Sequence, residues 1–394
     1  MVSVYQAEHI ILNTVKPLTS QISPLSEAYG FILREDIKSD RDQPPFDKAL
    51  VDGIAIHTSS YDKGLRSFFI EETVAAGQKP YQLKKLEHCV RIMTGAVLPR
   101  GCNAIIPIEQ VAIEADTASL KGWTLVKLKQ NIRFKGNDSK KGQLLIQEPC
   151  QILAPQIGVL AAVGKTKVKV SSRPHIAIIS TGDELVDFDK QPKDYQTRIS
   201  NSYALKSMLE GSGLAQASLF HYSDNKKAMF HGIAQNLRNF DMLILSGGVS
   251  MGEFDYVPVV LKELGVKALF HKVAQKPGKP FWFGKNRLGK VVFALPGNPI
   301  STLICAYRYV VPFLKKAAGL KVNQEFAVFS QDIEKPGDLT LFLPVSSVER
   351  NGIRYAQVVP TGGSGDFAAL ARADGFIEYD QNQKNLRPYF SWRV

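Results

Sequence analysis

Between residues 175 and 319, short apolar runs bounded by glycine or proline alternate with amphipathic segments. Residues 176–180 (Ile-Ala-Ile-Ile-Ser) read as a buried strand, because almost nothing in the run is left for water. Residues 201–211 carry helical spacing between a side-chain N-cap and a glycine stop, and 215–222 form the next strand. The pattern continues with a helix from a cap at Asp224 to Asn239, a strand over 242–245 and a helix over 255–265. A strand over 291–294 and a long closing helix over 300–318 complete it. Such alternation specifies an open, mostly parallel sheet with helices on both faces.

The rest of the chain reads differently. Residues 56–140 are rich in Val, Ile and Thr, with turn signals at Gly77, Pro80, Pro99-Arg100-Gly101 and Gly122, and predict a separate β domain. The flanks, 3–42 and 142–164, show helical spacing (Glu8, Ile11, Leu12, Val15; Ile152, Ile157, Leu160, Val163) and are expected to pack together, making the β domain an insertion. After Leu320 strands return over 325–333, 339–348 and 354–359, as a small barrel or sandwich. No internal repeat stands out.

Composition narrows the class. The 394 residues are 44% hydrophobic and 22% charged, which supports ordered cores rather than disorder, in about two to four domains. The longest apolar stretch, 291–311, is broken by Pro296, Asn298, Pro299 and Arg308, so no membrane span is expected. Residues 1–11 hold Glu8 and His9 without a basic start, so a signal peptide is not expected and the cytoplasm is. Four cysteines, at 89, 102, 150 and 305, form no metal or disulfide spacing and read as free thiols. The net charge of +12 favours an anionic ligand. Because the lysines and arginines are scattered, with no basic stripe interleaved with aromatics, nucleic acid is not expected.

In an open parallel sheet, ligands bind beyond the carboxyl ends of the strands. Four loops fall there: Thr181-Gly182-Asp183-Glu184, Ser223-Asp224, Ser246-Gly247-Gly248-Val249-Ser250-Met251-Gly252 and Leu295-Pro296-Gly297-Asn298-Pro299. Gly247, Gly248, Ser250, Gly297 and Asn298 predict a phosphate cradle, although each loop alone is also an ordinary tight turn. Asp183, Glu184, Asp224 and Asp255 on the same edge would repel that ligand unless Mg²⁺ stood between them. Lys276 and Lys279 offer further charge for anionic oxygens, or are plain surface. Gly248-Val249-Ser250-Met251-Gly252 also fits a hydrolase nucleophile elbow, but Asp255 lies too near Ser250 to orient His271 from its far side. A non-catalytic binding or scaffold module remains the other alternative.

At these loops the chain resembles the molybdopterin molybdenumtransferases, the molybdenum-insertion enzymes that include the gephyrin E domain. The resemblance runs in order through Pro45-Phe46-Asp47 with Val51-Asp52-Gly53, Thr94 to Gly101, Arg133 to Asp138, Ser180 to Leu185 with Asn201-Ser202, and Gly247 to Gly252 with Asp255-Tyr256. It ends in Lys276-Pro277-Gly278-Lys279-Pro280 and Leu295 to Pro299. It implies a multidomain α/β plus β fold. An elongated helical domain would take residues 1–45 and 141–170, an inserted β domain 46–140, a doubly wound molybdopterin-binding domain 171–322 and a C-terminal β barrel 323–394. It also implies a homodimer that inserts molybdate into adenylylated molybdopterin, releases AMP, depends on Mg²⁺ and works with other cofactor-biosynthesis proteins.

Carried over residue by residue, catalysis would fall to Asp52, Asp138, Glu184 and Asp255, and the metal to Asp183, Asp224 and Asp255. Substrate binding would fall to Thr94, Thr181, Gly182, Ser246, Gly247, Gly248, Ser250, Lys276 and Lys279, with Pro296, Gly297, Asn298, Pro299 and Ser364. Asp52, Thr94 and Asp138 would face the partner subunit. The chain departs from the family pattern at Ala49, Val51, Ile54, Asn103 and Asn137, so the inserted domain is the more altered half.

Overall fold

The computed structural model describes residues 1–249, 255–331, 333, 337–380 and 386–392. The chain divides into two compact units, Met1–Arg34 with Pro149–Leu153 and Lys167–Val394, and Glu35–Glu148 with Ala154–Thr166.

The first unit is built on a six-stranded sheet in the order Gln216–Tyr222, His175–Thr181, Met242–Ser246, Val291–Leu295, Trp282–Lys285, Lys267–His271. The first four strands run parallel, and their register pairs Thr181 with Tyr222, Ser180 with Ser246 and Ser246 with Leu295, so all four end on one line. Alternate residues enter two cores: Ile176, Ile178, Met242, Ile244 and Phe293 on one face, Ala177, Ile179, Leu243, Leu245 and Ala294 on the other. That two-sided burial is why the strands read as unbroken apolar runs. The last two strands are antiparallel additions that the sequence pattern does not announce.

Helix Asn201–Gly211 falls where the spacing predicts it. The next helix, Lys226–Asn239, starts later than predicted because Asn225, not Asp224, is its cap: the Asn225 side chain accepts from the N–H groups of Lys227 and Ala228 at 3.0 and 3.1 Å. The closing helix is divided into Pro299–Cys305, a π turn over Ala306–Val310, and Val311–Ala317. Pro312 explains the interruption, since in a regular helix its ring would collide with the carbonyl of Arg308.

Five strands, Thr340–Arg350, Ile353–Val358, Glu325–Val328, Leu386–Ser391 and Gly375–Tyr379, close into a C-terminal barrel when the last pairs back onto the first. The short strand Gln275–Lys276 adds to its edge. Val4–Leu12 carries a Ser3/Gln6 capping box and buries Val4, Ala7 and Ile11 in the same core as the closing helix. The flanks expected to be helical hold this helix, Ala154–Ala162 in the other unit and a single 3-10 turn, Leu25–Glu27, with short strands and loops between. No helix among the described residues is long and apolar enough to cross a membrane.

The second unit contains a six-stranded sheet in the order Ala104–Pro107, Gly53–Ile56, His88–Ile92, Ser67–Val74, Thr117–Leu120, Val111–Glu114. Gly53 starts a buried strand. A Cβ there would stand 1.9 Å from the carbonyl oxygen of Ile106, so sheet packing alone demands glycine. All four cysteines are free, and burial pushes the thiols of Cys89, Cys102 and Cys305 up to about 12, which leaves them inert.

Candidate functional site

Because the four parallel strands end level, their loops meet around one cleft of about 320 Å³. Thr181, Gly182 and Glu184 come from the first strand's loop, Asp224 from the second, Gly247, Gly248 and Val249 from the third, and Pro296 and Gly297 from the fourth. Asp255 and Pro280 complete the wall. Among the described residues the walls hold three carboxylates and no lysine or arginine. A larger cavity of about 420 Å³ beside Met208, Tyr307 and Trp392 is lined, among the described residues, by no charged side chain.

The floor is tightly built. Gly247 and Gly248 have φ of +98° and +66°, and a Cβ on Gly248 would lie 2.8 Å from Thr181 Oγ1 and 2.9 Å from Val257 Cγ2. Under this turn Thr181 Oγ1 is buried without a hydrogen-bond partner. Asn201, read from the sequence as a helix cap, instead donates through Nδ2 to Ser246 Oγ at 3.0 Å and to the Gly297 carbonyl at 2.6 Å, fastening two of the cleft loops together. Thr302 Oγ1 holds the carbonyls of Pro296 and Asn298 at 2.6 and 3.0 Å. Asn298 Nδ2 donates to Ser364 Oγ at 2.7 Å, and Pro299 opens the helix behind it.

The acids have unequal surroundings. Asp183 and Asp224 clamp each other's backbones: Asp183 Oδ1 accepts from the Asp224 N–H at 3.0 Å, and Asp224 Oδ2 from the Asp183 N–H at 3.4 Å. Burial raises the Asp224 carboxyl pKa, and the charges of Asp183 and Asp255 add to the rise. Asp183 and Glu184 are exposed, and Asp183 is not part of the cleft wall. Among the described residues no group of three or more His, Cys, Asp or Glu converges to hold a metal by itself.

Lys276 and Lys279 are exposed on the arm that leads to Pro280. Ser250, with Met251 and Gly252, lies outside the described residues. His271 Nε2 makes its hydrogen bond with the Val249 carbonyl at 3.1 Å. In the second unit Asp52 Oδ1 accepts from Thr94 Oγ1 at 2.6 Å and from its N–H at 2.7 Å, which lowers the Asp52 pKa. Asp138 is paired with Arg133, whose Nε donates at 2.7 Å. Sequence reasoning gave no role to Asn201 beyond capping, to Pro280, or to Arg91, whose charge reaches Asp52 and whose buried Nε has no partner. Only the position of Asn201 directly after a strand-end loop hinted at its part.

Three family models match in chain order: the MoeA N-terminal region (domain I and II) over residues 2–164, a probable molybdopterin binding domain over 177–316, and the MoeA C-terminal region (domain IV) over 327–388. A molybdopterin molybdenumtransferase from Synechocystis is 37% identical, with 100% of both chains covered. One from Haemophilus influenzae is 33% identical over 94% of this chain and 92% of its own. A crystal structure of the molybdopterin biosynthesis MoeA protein from Pyrococcus horikoshii covers 99% of this chain and 98% of its own, with a TM-score of 0.81 at 26% identity. With identity sustained over the whole length and the three regions in the same order, the chain belongs to the molybdopterin molybdenumtransferase family.

Proposed function

We propose that this chain, as a cytoplasmic homodimer, inserts molybdate into adenylylated molybdopterin and releases AMP. The observation that carries this reading is the make-up of the cleft, where backbone-rich glycine loops suited to phosphate share one wall with Glu184, Asp224 and Asp255. Phosphate and carboxylate tolerate such closeness only with a cation between them.

The residues fit Mg²⁺, which binds through one or two carboxylates and completes its shell with phosphate and water. Asp224 and Asp255 would hold it, and the raised pKa of Asp224 is the strain that a cation relieves. When bound, Mg²⁺ supplies neutralisation of the anhydride oxygens. The glycine loops, with Asn298 and Ser364, hold the phosphate end of the pterin. Glu184 takes the proton of a water that bonds to the molybdopterin phosphorus as the bridging P–O bond breaks and AMP leaves. Lys276 and Lys279 attract the molybdate oxyanion. Asp52, Thr94 and Asp138 serve the same reaction from the inserted domain.

The experiment is to mix the protein with adenylylated molybdopterin, Mg²⁺ and molybdate and to measure AMP. Release of AMP that requires both Mg²⁺ and molybdate supports the reading. Tight molybdopterin binding without AMP would leave a binding protein.

A further inference from the structure

The arm that carries Lys276 and Lys279 is folded around one buried amide. Gln275 has no exposed surface. Its Oε1 accepts the Tyr309 hydroxyl at 2.6 Å, while its Nε2 donates to the Pro277 carbonyl at 3.1 Å and to Cys305 Sγ at 3.4 Å. Gly278, at φ +95°, presses on the same group: a Cβ there would stand 2.5 Å from Gln275 Nε2 and 2.9 Å from Cys305 Sγ. The arm therefore winds around the amide, leaving both lysines outside and ending at Pro280 in the cleft wall.

Tyr309 is only 1% exposed and stands in the π turn of the closing helix, whose first segment begins beside Asn298. Its neighbour Arg308 is paired with Glu8 at 2.9 Å and Glu378 at 2.8 Å, so the turn is anchored to the N-terminal helix and to the barrel. One helix thus supports both the Asn298 loop and the lysine arm. An apolar pair of similar size would fill the space of Tyr309 and Gln275 without polar atoms to satisfy, so packing alone does not account for their hydrogen bonds.

We propose that Tyr309 and Gln275 are positioning residues that set the placement of the Lys276 and Lys279 ammonium groups for the molybdate oxyanion. The inference rests on the function proposed above. Without the Tyr309 hydroxyl, Gln275 Oε1 is left buried without that partner, and the amide holds the Pro277 carbonyl less firmly. Binding of the small oxyanion suffers most, because the pterin has separate loops of its own.

The test compares full-length wild type with Tyr309→Phe and Gln275→Met. Molybdate binding is measured by isothermal titration, molybdopterin binding by fluorescence, and AMP release as a function of molybdate concentration. The expected result is a rise of about tenfold in the molybdate Kd and KM, with kcat and molybdopterin affinity changed by less than about threefold. Unchanged molybdate affinity in the folded variants overturns the proposal, as does a parallel loss of all three readouts, which marks a purely structural role. If neither variant folds, Cys305→Ala removes only the longest of the three contacts. A smaller rise in the molybdate Kd is then expected, and none overturns the proposal. Should wild type release no AMP, the proposed function fails, while the titrations still decide the positioning role.

Discussion

Thr181 makes the most particular demand in the cleft, because its hydroxyl is buried beneath Gly247 and Gly248 with no partner. Leaving such a group unpaired costs about 1–3 kcal/mol. Thr181→Val, which keeps the shape, should therefore leave the free protein as stable as before or more so, while weakening molybdopterin binding. Urea denaturation and a binding titration check the two halves, and a lower midpoint for the variant would show that the hydroxyl is already satisfied. At Gly248 a substitution such as Gly248→Val would test the predicted phosphate cradle, but the packing makes it more than a binding probe. The left-handed backbone costs about 1–2 kcal/mol for a side chain. Contact with Thr181 and Val257 adds overpacking of about 1–3 kcal/mol. The variant should lose stability before any ligand is considered. Asp255→Asn is the cleaner probe, since it keeps the size of the side chain and removes only its charge. Removing one charge-assisted contact, about 1.5–3 kcal/mol, should slow AMP release by about one to two orders of magnitude with ligand affinity retained.

At the scale of elements, the Asp224 loop separates two roles that the sequence merges. Capping belongs to Asn225, so Asn225→Ala should destabilise helix Lys226–Asn239 by about 1 kcal/mol, measured by denaturation, and Asp224→Asn should not. The Asp224 carboxyl titrates above its ordinary value of 3.8, chiefly through burial. In the folded state it holds its proton more tightly than when unfolded. Its contribution to stability is therefore present below pH 3.8 and is lost as pH rises through the raised folded value. A cation at Asp224 opposes that loss, so Mg²⁺ should raise the Tm at pH 7, raise it less near pH 4, and do little for Asp224→Asn. Absence of any Mg²⁺ shift at pH 7 would remove Asp224 from the metal site. The elements themselves were legible where burial left a period: helix Asn201–Gly211 matches its prediction, and the parallel strands agree within about one residue. Strands Lys267–His271 and Trp282–Lys285 were not legible, because each is short and its pairing comes from a neighbouring strand rather than from its own pattern. The π turn likewise follows from how the helix accommodates Pro312.

For the whole molecule, the proposed dimer makes a quantitative prediction. Asp52→Ala and Asp255→Asn should each be nearly inactive alone. If the two residues serve one reaction from different subunits, mixing and re-annealing should restore activity. Random pairing gives about half heterodimers, each with one intact site of two, and hence about a quarter of wild-type activity per site. Heterodimers confirmed by mass spectrometry that remain inactive would show that both residues act in the same subunit's site.

The sequence by itself determined the order of elements in the α/β domain, and with it the edge where the cleft lies. Parallel strands buried on both faces must run into loops at a common end, so Gly182, Gly248 and Gly297 were bound to meet. It also carried, in ordered motifs, the family to which the chain belongs. What the tertiary structure decided is the task of each side chain within that edge. Asn201 fastens Ser246 to Gly297, Asp183 and Asp224 clamp one another, and Tyr309 reaches Gln275 across 34 residues of chain. Local patterns encode periodicity and turn conformation, both properties of neighbours in sequence. A hydrogen bond between distant residues depends on the distance and angle at which packed elements present their side chains, and that geometry exists only once the sheet and its helices have come together.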